Sequence, residues 1–133
     1  MLWLLEHSLL HPLAITSLNN VLIIEFIGDE DGNPAPTVKN LPPEDPVDFY
    51  EKLVGQMDNF INKANLIHGD LSTYNILNYD EEPVIIDVSQ SVVRDHIIAN
   101  ELLERDIKNI SFEFSKMGVD TSIEDLTNRL IRD

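Results

Sequence analysis

The feature that most constrains this chain is a pair of short polar motifs in its middle third. In the first motif, Asp70 follows a His-Gly pair, and Asn75 comes five residues after Asp70. In the second, Asp87 ends the apolar run at residues 84–86, which reads as a buried strand because its side chains are mostly β-branched. Residues 76–77 and 84–86 are apolar and flank a turn-rich segment, so a small β-hairpin is predicted to present Asn75 and Asp87 side by side.

Two carboxylates and an amide at this spacing are groups that phosphoryl-transfer chemistry uses. Carboxylates approach an anionic nucleotide with Mg²⁺ between them, and Mg²⁺ prefers one or two carboxylates plus substrate phosphates. In protein kinases, a catalytic-loop Asp accepts the proton of the substrate hydroxyl, while an Asn five residues later and a strand-end Asp bind the metal. The alternative is an ordinary turn, since Asp, Asn and Gly are common turn residues. The joint spacing favours the phosphotransferase interpretation.

The same residues resemble a known family. Residues 68–77 read HGDLSTYNIL and residues 86–92 read IDVSQSV. This pair is similar to the RIO family of atypical serine/threonine protein kinases, in particular its archaeal RIO-one-like branch. Ser72, Tyr74 and the Ser-Gln-Ser run at 89–91 distinguish the chain from ordinary kinases and from aminoglycoside-type phosphotransferases. The resemblance implies an α+β fold: the mainly helical C-terminal lobe of a kinase-like (RIO) protein with small β-hairpins, preceded by the last strands of the small lobe.

The resemblance also implies a role for the polar residues of both motifs. Asp70 would be the catalytic base or the group that orients the nucleophile. Asn75 and Asp87 would bind Mg²⁺, and Asp87 would also be transiently phosphorylated in an ATPase cycle. Ser72 would lie near the γ-phosphate of ATP.

Three further residues are assigned by the same resemblance. His68 is a base or a metal ligand by residue type, but the family favours a structural role in which it packs behind the metal-binding Asp. The carbonyl of Glu25 and the amide of Ile27 would bind the adenine edge of the nucleotide. These two contacts come from the main chain, so the side chains do not report on them.

The implied function is that of an ATP- and Mg²⁺-dependent serine/threonine protein kinase and ATPase. The resemblance adds autophosphorylation on serine and small ribosomal subunit maturation, with a protein substrate or a pre-ribosomal particle as partner. No glycine spacing fits a phosphate-covering loop, and no lysine precedes Lys39. We therefore expect only the hinge and large lobe of the family, and weak turnover by this chain alone.

Two other functions stay open. A catalytically inactive kinase-like module would dock on a partner protein, and an exposed strand at residues 21–27 would invite pairing with another chain or a dimer. A small-molecule phosphotransferase is the third interpretation, and the Ser-Thr-Tyr run at 72–74 argues against it.

The chain divides into three predicted parts. The resemblance implies that residues 1–27 are a remnant of the small lobe with the hinge strand and that residues 45–133 are the RIO kinase large lobe. Residues 28–44 between them are rich in Gly and Pro and are predicted to be a loop. Within the first part, residues 1–10 fit the tail of a helix. Strands are predicted at residues 13–16 and 21–27, joined by a turn at the Asn-Asn pair.

Three helices are predicted in the large lobe or its tail. The first is capped by Asp45, starts at Pro46, and buries the face Tyr50, Leu53, Val54, Met57, Phe60, Ile61 and Ala64. The second covers residues 97–117, stops at Gly118, and buries the face Ala99, Leu103, Ile107, Ile110, Phe114 and Met117. A short last helix starts at a capping box formed by Thr121 and Glu124.

The composition of the chain limits which classes of partner, metal site and location are expected. The 133 residues carry 24 acidic and 9 basic side chains, a net charge of −15, which is the opposite of a nucleic-acid-binding footprint. There is no cysteine, so neither a disulfide nor a Cys-based metal site can form. No apolar stretch approaches the roughly 18 residues of a membrane span. A cytoplasmic location away from membranes is predicted.

Overall fold

The structure, a computed structural model, describes residues 14–18, 21–24 and 27–132, with only the backbone described in the first two ranges. Within these ranges there are three helices: α1 (Pro46–Asp58), α2 (Ala99–Lys116) and α3 (Ile123–Leu130). The strands are β1 (Ala14–Leu18), β2 (Val21–Ile24), β3 (Leu66–Ile67), β4 (Ile76–Tyr79), β5 (Glu82–Ile85) and β6 (Val92–Val93). A π-helical turn, Asn59–Lys63, follows α1, and a 3-10 turn, Val88–Gln90, precedes β6.

The strands form three antiparallel pairs, β1 with β2, β3 with β6, and β4 with β5. The helices supply most of the core, so the predicted α+β class with small hairpins is confirmed. Among the described residues, no helix combines the length and the apolar character that crossing a membrane requires.

The first hairpin is present, but the prediction that its second strand continues to Ile27 is wrong. Strand β2 ends at Ile24, and Ile27 lies in a loop, where its carbonyl accepts a hydrogen bond from Ala35 N–H at 2.9 Å. Gly28 then pairs with Pro34 in an isolated bridge, so the chain turns back on itself there. The predicted helix tail at 1–10, the turn at 19–20 and Glu25 lie outside the described residues.

Helix α1 begins as predicted. The carboxylate of Asp45 accepts a hydrogen bond from Asp48 N–H at 3.2 Å, and Pro46 occupies the first helical position. All the apolar residues predicted for this face are buried, and so is Phe49, which the periodicity left out. The rings of Phe49 and Tyr50 pack against Phe114 of α2, with centroids 6.1 and 5.5 Å away. This aromatic contact joins the two long helices.

Helix α2 is confirmed, although it starts two residues later and ends one residue earlier than predicted. Gly118 stops the helix, as predicted. Gly118 has φ +93°, a conformation that favours glycine. Its N–H donates to the carbonyl of Ser115, and Val119 N–H donates to that of Phe114, both at 3.1 Å. This is the Schellman arrangement, which satisfies carbonyls that a helix end leaves without partners.

The predicted capping box of α3 is wrong by one residue. Ser122 is the cap, and its hydroxyl accepts a hydrogen bond from Asp125 N–H at 3.1 Å. The hydroxyl of Thr121 instead forms a 2.6 Å hydrogen bond with the hydroxyl of Tyr50. A tertiary contact with α1 therefore takes the side chain that the local pattern assigned to the cap.

The hairpin of β4 and β5 is confirmed and has a two-residue turn. Ile76 pairs with Ile85, and Tyr79 pairs with Glu82. The turn residues Asp80 and Glu81 have φ values of +51° and +68°, as a type I′ hairpin turn requires. The open end of this hairpin faces the two polar motifs.

Candidate functional site

The histidine of the first motif connects both motifs through its ring. His68 is 3% exposed, and its Nδ1 accepts a hydrogen bond from Asp70 N–H at 3.2 Å. Because an amide N–H only donates, the proton of the neutral ring belongs on Nε2, which lies 2.8 Å from the carbonyl of Ile86. His68 therefore holds the residue before Asp87 and the backbone of Asp70 at once. This geometry supports the predicted structural role.

Asn75 is oriented by Asp70. Its Nδ2 donates to the Asp70 carbonyl at 2.6 Å and lies 3.4 Å from the Asp70 carboxylate. The amide nitrogen is thus engaged within the loop, which leaves the amide oxygen as the group that can bind a cation. Asp70 itself is exposed.

Asp87 reaches the same end of the hairpin through the register of β4 and β5. Ile86 N–H donates to the Asn75 carbonyl at 2.9 Å, so Ile86 lies opposite Asn75. Asp87 is the next residue along the chain. Asp87 has φ +58° and ψ +62°, and its side chain is exposed. One carboxylate oxygen accepts a hydrogen bond from the Ser89 hydroxyl at 2.8 Å.

The remaining predicted site residues are less directly placed. The Ser72 hydroxyl accepts a hydrogen bond from Tyr74 N–H at 3.2 Å, and its carbonyl accepts one from Asn75 N–H at 3.0 Å. Ser72 therefore shapes the turn between Asp70 and Asn75, and its position near a γ-phosphate stays a prediction. The hydrogen bond of Ile27 with Ala35 uses the carbonyl, not the amide on which the adenine contact depends.

The donor set at this end of the hairpin fits Mg²⁺. An amide oxygen of Asn75 and a carboxylate of Asp87 are hard oxygen ligands, which Mg²⁺ prefers. In the part of the chain that the structure describes, no group of three or more His, Cys, Asp or Glu residues is arranged to bind a metal. Such a sparse set suits a cation that completes its coordination with water and substrate phosphates.

Helix α2 contributes a residue that the sequence reasoning missed. Asp106 is buried, and its two carboxylate oxygens accept hydrogen bonds from Gly69 N–H at 2.8 Å and Leu71 N–H at 3.0 Å. Burial raises the pKa of Asp106, while these two hydrogen bonds oppose the shift. The pair of bonds fixes the backbone on both sides of Asp70.

Further side chains of α2 hold the same loop. The Glu113 carboxylate accepts a hydrogen bond from Thr73 N–H at 2.8 Å. Asn109 Nδ2 lies 3.4 Å from the Leu71 carbonyl. The Arg105 guanidinium donates to the Gly69 carbonyl. The spacing 106, 109 and 113 places these residues along one helix face. The sequence does contain a signal for Asp106, because an acidic residue lies beside the apolar face of α2. A carboxylate buried at such a position needs hydrogen-bond donors, and this predicts contacts with backbone N–H groups.

Comparisons with known proteins decide the family. The RIO domain family matches residues 1–126 of this sequence. The chain belongs to the RIO domain family. Among its relatives, the RIO-type serine/threonine-protein kinase Rio1 of Methanocaldococcus jannaschii is 41% identical over 115 residues, which cover 86% of this chain and 39% of that protein. The serine/threonine-protein kinase RIO1 of Saccharomyces cerevisiae is 36% identical over 111 residues, covering 81% of this chain and 23% of that protein.

Solved structures show the same fold for this RIO domain chain. The Rio2 kinase from Chaetomium thermophilum matches with a TM-score of 0.73 at 24% identity, covering 98% of this chain and 43% of that one. A second structure, of that organism's Rio2 kinase–ADP/Mg²⁺–phosphoaspartate complex, matches with a TM-score of 0.72. The predicted kinase-like fold is therefore confirmed. The chain spans less than half the length of each of these three relatives.

Proposed function

We propose that this chain carries the catalytic and metal-binding loops of an ATP- and Mg²⁺-dependent serine/threonine protein kinase. The observation that carries the proposal is the joint hydrogen bonding of the two motifs. Asn75 is oriented by Asp70, and Asp87 follows Ile86, which bonds to Asn75 at the open end of the hairpin. The kinase names of the RIO relatives support the same reaction class.

Each residue has a distinct role in the proposed reaction. Asp70, exposed at the loop, orients the substrate hydroxyl and accepts its proton as the oxygen attacks the γ-phosphate. Asn75 and Asp87 hold Mg²⁺, which when bound neutralises the charge of the phosphates. His68 and Asp106 keep the loop backbone in place through the hydrogen bonds described above.

We propose in addition that Asp87 accepts the γ-phosphoryl group in an ATPase cycle. Its carboxylate oxygen would form an acyl phosphate with release of ADP, and water would then hydrolyse that bond. The phosphoaspartate in the Rio2 complex supports the idea by analogy. Serine autophosphorylation, a cytoplasmic location and a role in small ribosomal subunit maturation on a protein or pre-ribosomal particle follow from the family resemblance and belong to the same proposal.

The test is calorimetric titration of Mg²⁺–ATP into the wild type, Asp87→Ala and Asp120→Ala. Asp120 is the matched control, because it is an exposed aspartate beyond the end of α2. We expect measurable binding by the wild type that EDTA abolishes, and at least ~10-fold weaker binding by Asp87→Ala, since one of two protein ligands is lost. Asp120→Ala should bind like the wild type.

Equal binding by the wild type and Asp87→Ala would rule out Asp87 as a metal ligand. Binding by none of the proteins would contradict the nucleotide function of this chain. Circular dichroism of each variant separates a lost ligand from a lost fold.

A further inference from the structure

We propose that Lys39 and Tyr74, referred to below as the Lys39–Tyr74 pair, bind an acidic side chain of the phosphoacceptor segment beside Asp70. The pair would thereby give the site a preference for serine with carboxylate neighbours. This inference rests on the phosphotransfer function proposed above.

Tyr74 differs from its neighbours in the catalytic loop. Leu71 and Thr73 are 2% and 4% exposed, whereas Tyr74 is 62% exposed. The backbone around Tyr74 is nevertheless fixed, because Thr73 N–H donates to Glu113 and Tyr74 N–H donates to Ser72. A large aromatic face is thus held open to solvent on a well-anchored loop, four residues after Asp70.

Lys39 is held next to this ring by its own backbone. Its N–H donates to the Thr73 carbonyl at 3.1 Å, and the preceding N–H, of the fully buried Val38, donates to the Ile76 carbonyl at 2.8 Å. The Lys39 ammonium lies 5.7 Å from the centroid of the Tyr74 ring, within the range of a cation–π contact. Both members of the pair are therefore positioned before any ligand arrives.

No carboxylate in the described part of the chain balances the charge of Lys39. Within the described residues, Lys39 forms no ion pair, whereas Lys52, Arg129 and Arg132 each do. Five other basic residues also lack an ion pair there, but of these only Lys116 also stacks on an aromatic ring. A contact with a ring face leaves ammonium N–H groups available, so the complementary ligand is an anion.

A peptide carboxylate fits this arrangement better than a nucleotide phosphate. The predicted nucleotide-binding groups, Asn75 and Asp87, lie at the end of the hairpin, and Asp70 would face the acceptor hydroxyl. Tyr74 lies on the loop that carries Asp70, and the Lys39 backbone is bonded to that loop at Thr73. An acceptor segment can pack against the ring while a neighbouring Glu or Asp side chain reaches Lys39.

The experiment compares three short peptides that have serine between two glutamates, two glutamines or two lysines. Each is titrated, with and without Mg²⁺ and a non-hydrolysable ATP analogue, into the wild type, Lys39→Glu, Tyr74→Ala and Lys116→Glu. NMR of the backbone amides gives the affinity and the position of binding. Lys116 is the matched control, because it also stacks on an aromatic ring but lies at the far end of α2, about 15 Å along the helix from Asp106.

We expect the wild type to bind the glutamate peptide about 10-fold more tightly than Lys39→Glu does, with shifts at the amides of Thr73 and Tyr74. Lys39→Glu should prefer the lysine peptide. Tyr74→Ala should weaken all three peptides and keep the order, and Lys116→Glu should leave the order unchanged.

Other results would overturn the proposal. The same reversal in Lys116→Glu would show only the long-range effect of net charge. An unchanged order in Lys39→Glu, or no peptide binding at all, would exclude the pair as a recognition site. Weaker binding of the ATP analogue by Lys39→Glu, with peptide binding unaffected, would assign Lys39 to the nucleotide. Peptide discrimination without any nucleotide binding would instead contradict the proposed phosphotransfer function and leave the recognition site standing.

Discussion

The two halves of the candidate site are built in different ways. The loop that carries Asp70 is held by side chains of α2 that are 35 to 40 residues away in sequence. In the second half, His68 and Asn75 hold Ile86, but Asp87 and the residues after it are held by short-range bonds, from the Ser89 hydroxyl to Asp87 and from Ser91 N–H to Val88. One half thus depends on the packing of the core, and the other half on local chain geometry.

Burial follows the same division. Gly69, Leu71 and Thr73 are buried under α2, whereas Asp87 and Ser89 are exposed. Substitutions that disturb the first half should therefore change both stability and ligand binding. Substitutions in the second half should change ligand binding with little effect on stability.

The strongest way to test this division is Asp106→Ala. The change leaves the N–H groups of Gly69 and Leu71 without their partner in a buried position, so we expect the free energy of unfolding to fall by about 3 kcal/mol. Urea denaturation measures the loss, and Mg²⁺–ATP binding should weaken along with it. Glu104→Ala, an exposed carboxylate on the same helix, is the control and should stay within about 0.5 kcal/mol. If the free energy of unfolding fell no more in Asp106→Ala than in Glu104→Ala, α2 would not hold the loop through Asp106.

The sequence predicted the hairpin that brings Asn75 and Asp87 together, but not the α2 side chains that hold the loop of Asp70. The spacing of Asp70, Asn75 and Asp87 is readable because it follows from one loop and one hairpin. Asp106 and Glu113 were missed because their partners are backbone groups far away in sequence. Without an alignment or coordinates, a polar residue on a helix does not say which N–H group it meets.

The same reason explains the errors in the fold. Helices α1 and α2 were predicted well, because apolar periodicity is set along the helix itself. The cap of α3 was displaced from Thr121 to Ser122, since the Thr121 hydroxyl bonds to Tyr50 in α1. The strand predicted to reach Ile27 stops earlier, because the chain turns back to pair Ile27 with Ala35. In both cases a hydrogen bond to another segment of the chain determined the structure, and the local sequence pattern did not.

A smaller effect is expected from pH, and it sharpens the contrast between the two halves. The pKa of Asp106 is raised above its ordinary value of 3.8 chiefly by burial. The native state therefore still binds this proton at a pH at which the unfolded chain has released it. The stabilisation that comes from the bound proton is lost as the pH rises from about 4 through the native pKa. Comparing the wild type with Asp106→Asn at each pH isolates the effect, because asparagine does not titrate. A wild-type advantage that grows with pH in this window would contradict the assignment.

The smallest expected change in stability is in the exposed half. Asp87 adopts φ +58°, which glycine tolerates better than aspartate, and its side chain makes one hydrogen bond within the described residues, with the exposed Ser89. We expect Asp87→Gly to leave the free energy of unfolding unchanged or to raise it by about 0.5 kcal/mol, while Mg²⁺–ATP binding is lost. Ser89→Ala is the control for the lost hydrogen bond and should retain the ligand. A marked fall in stability of Asp87→Gly would show that this half is also tied to the core, and the division between the two halves would no longer hold.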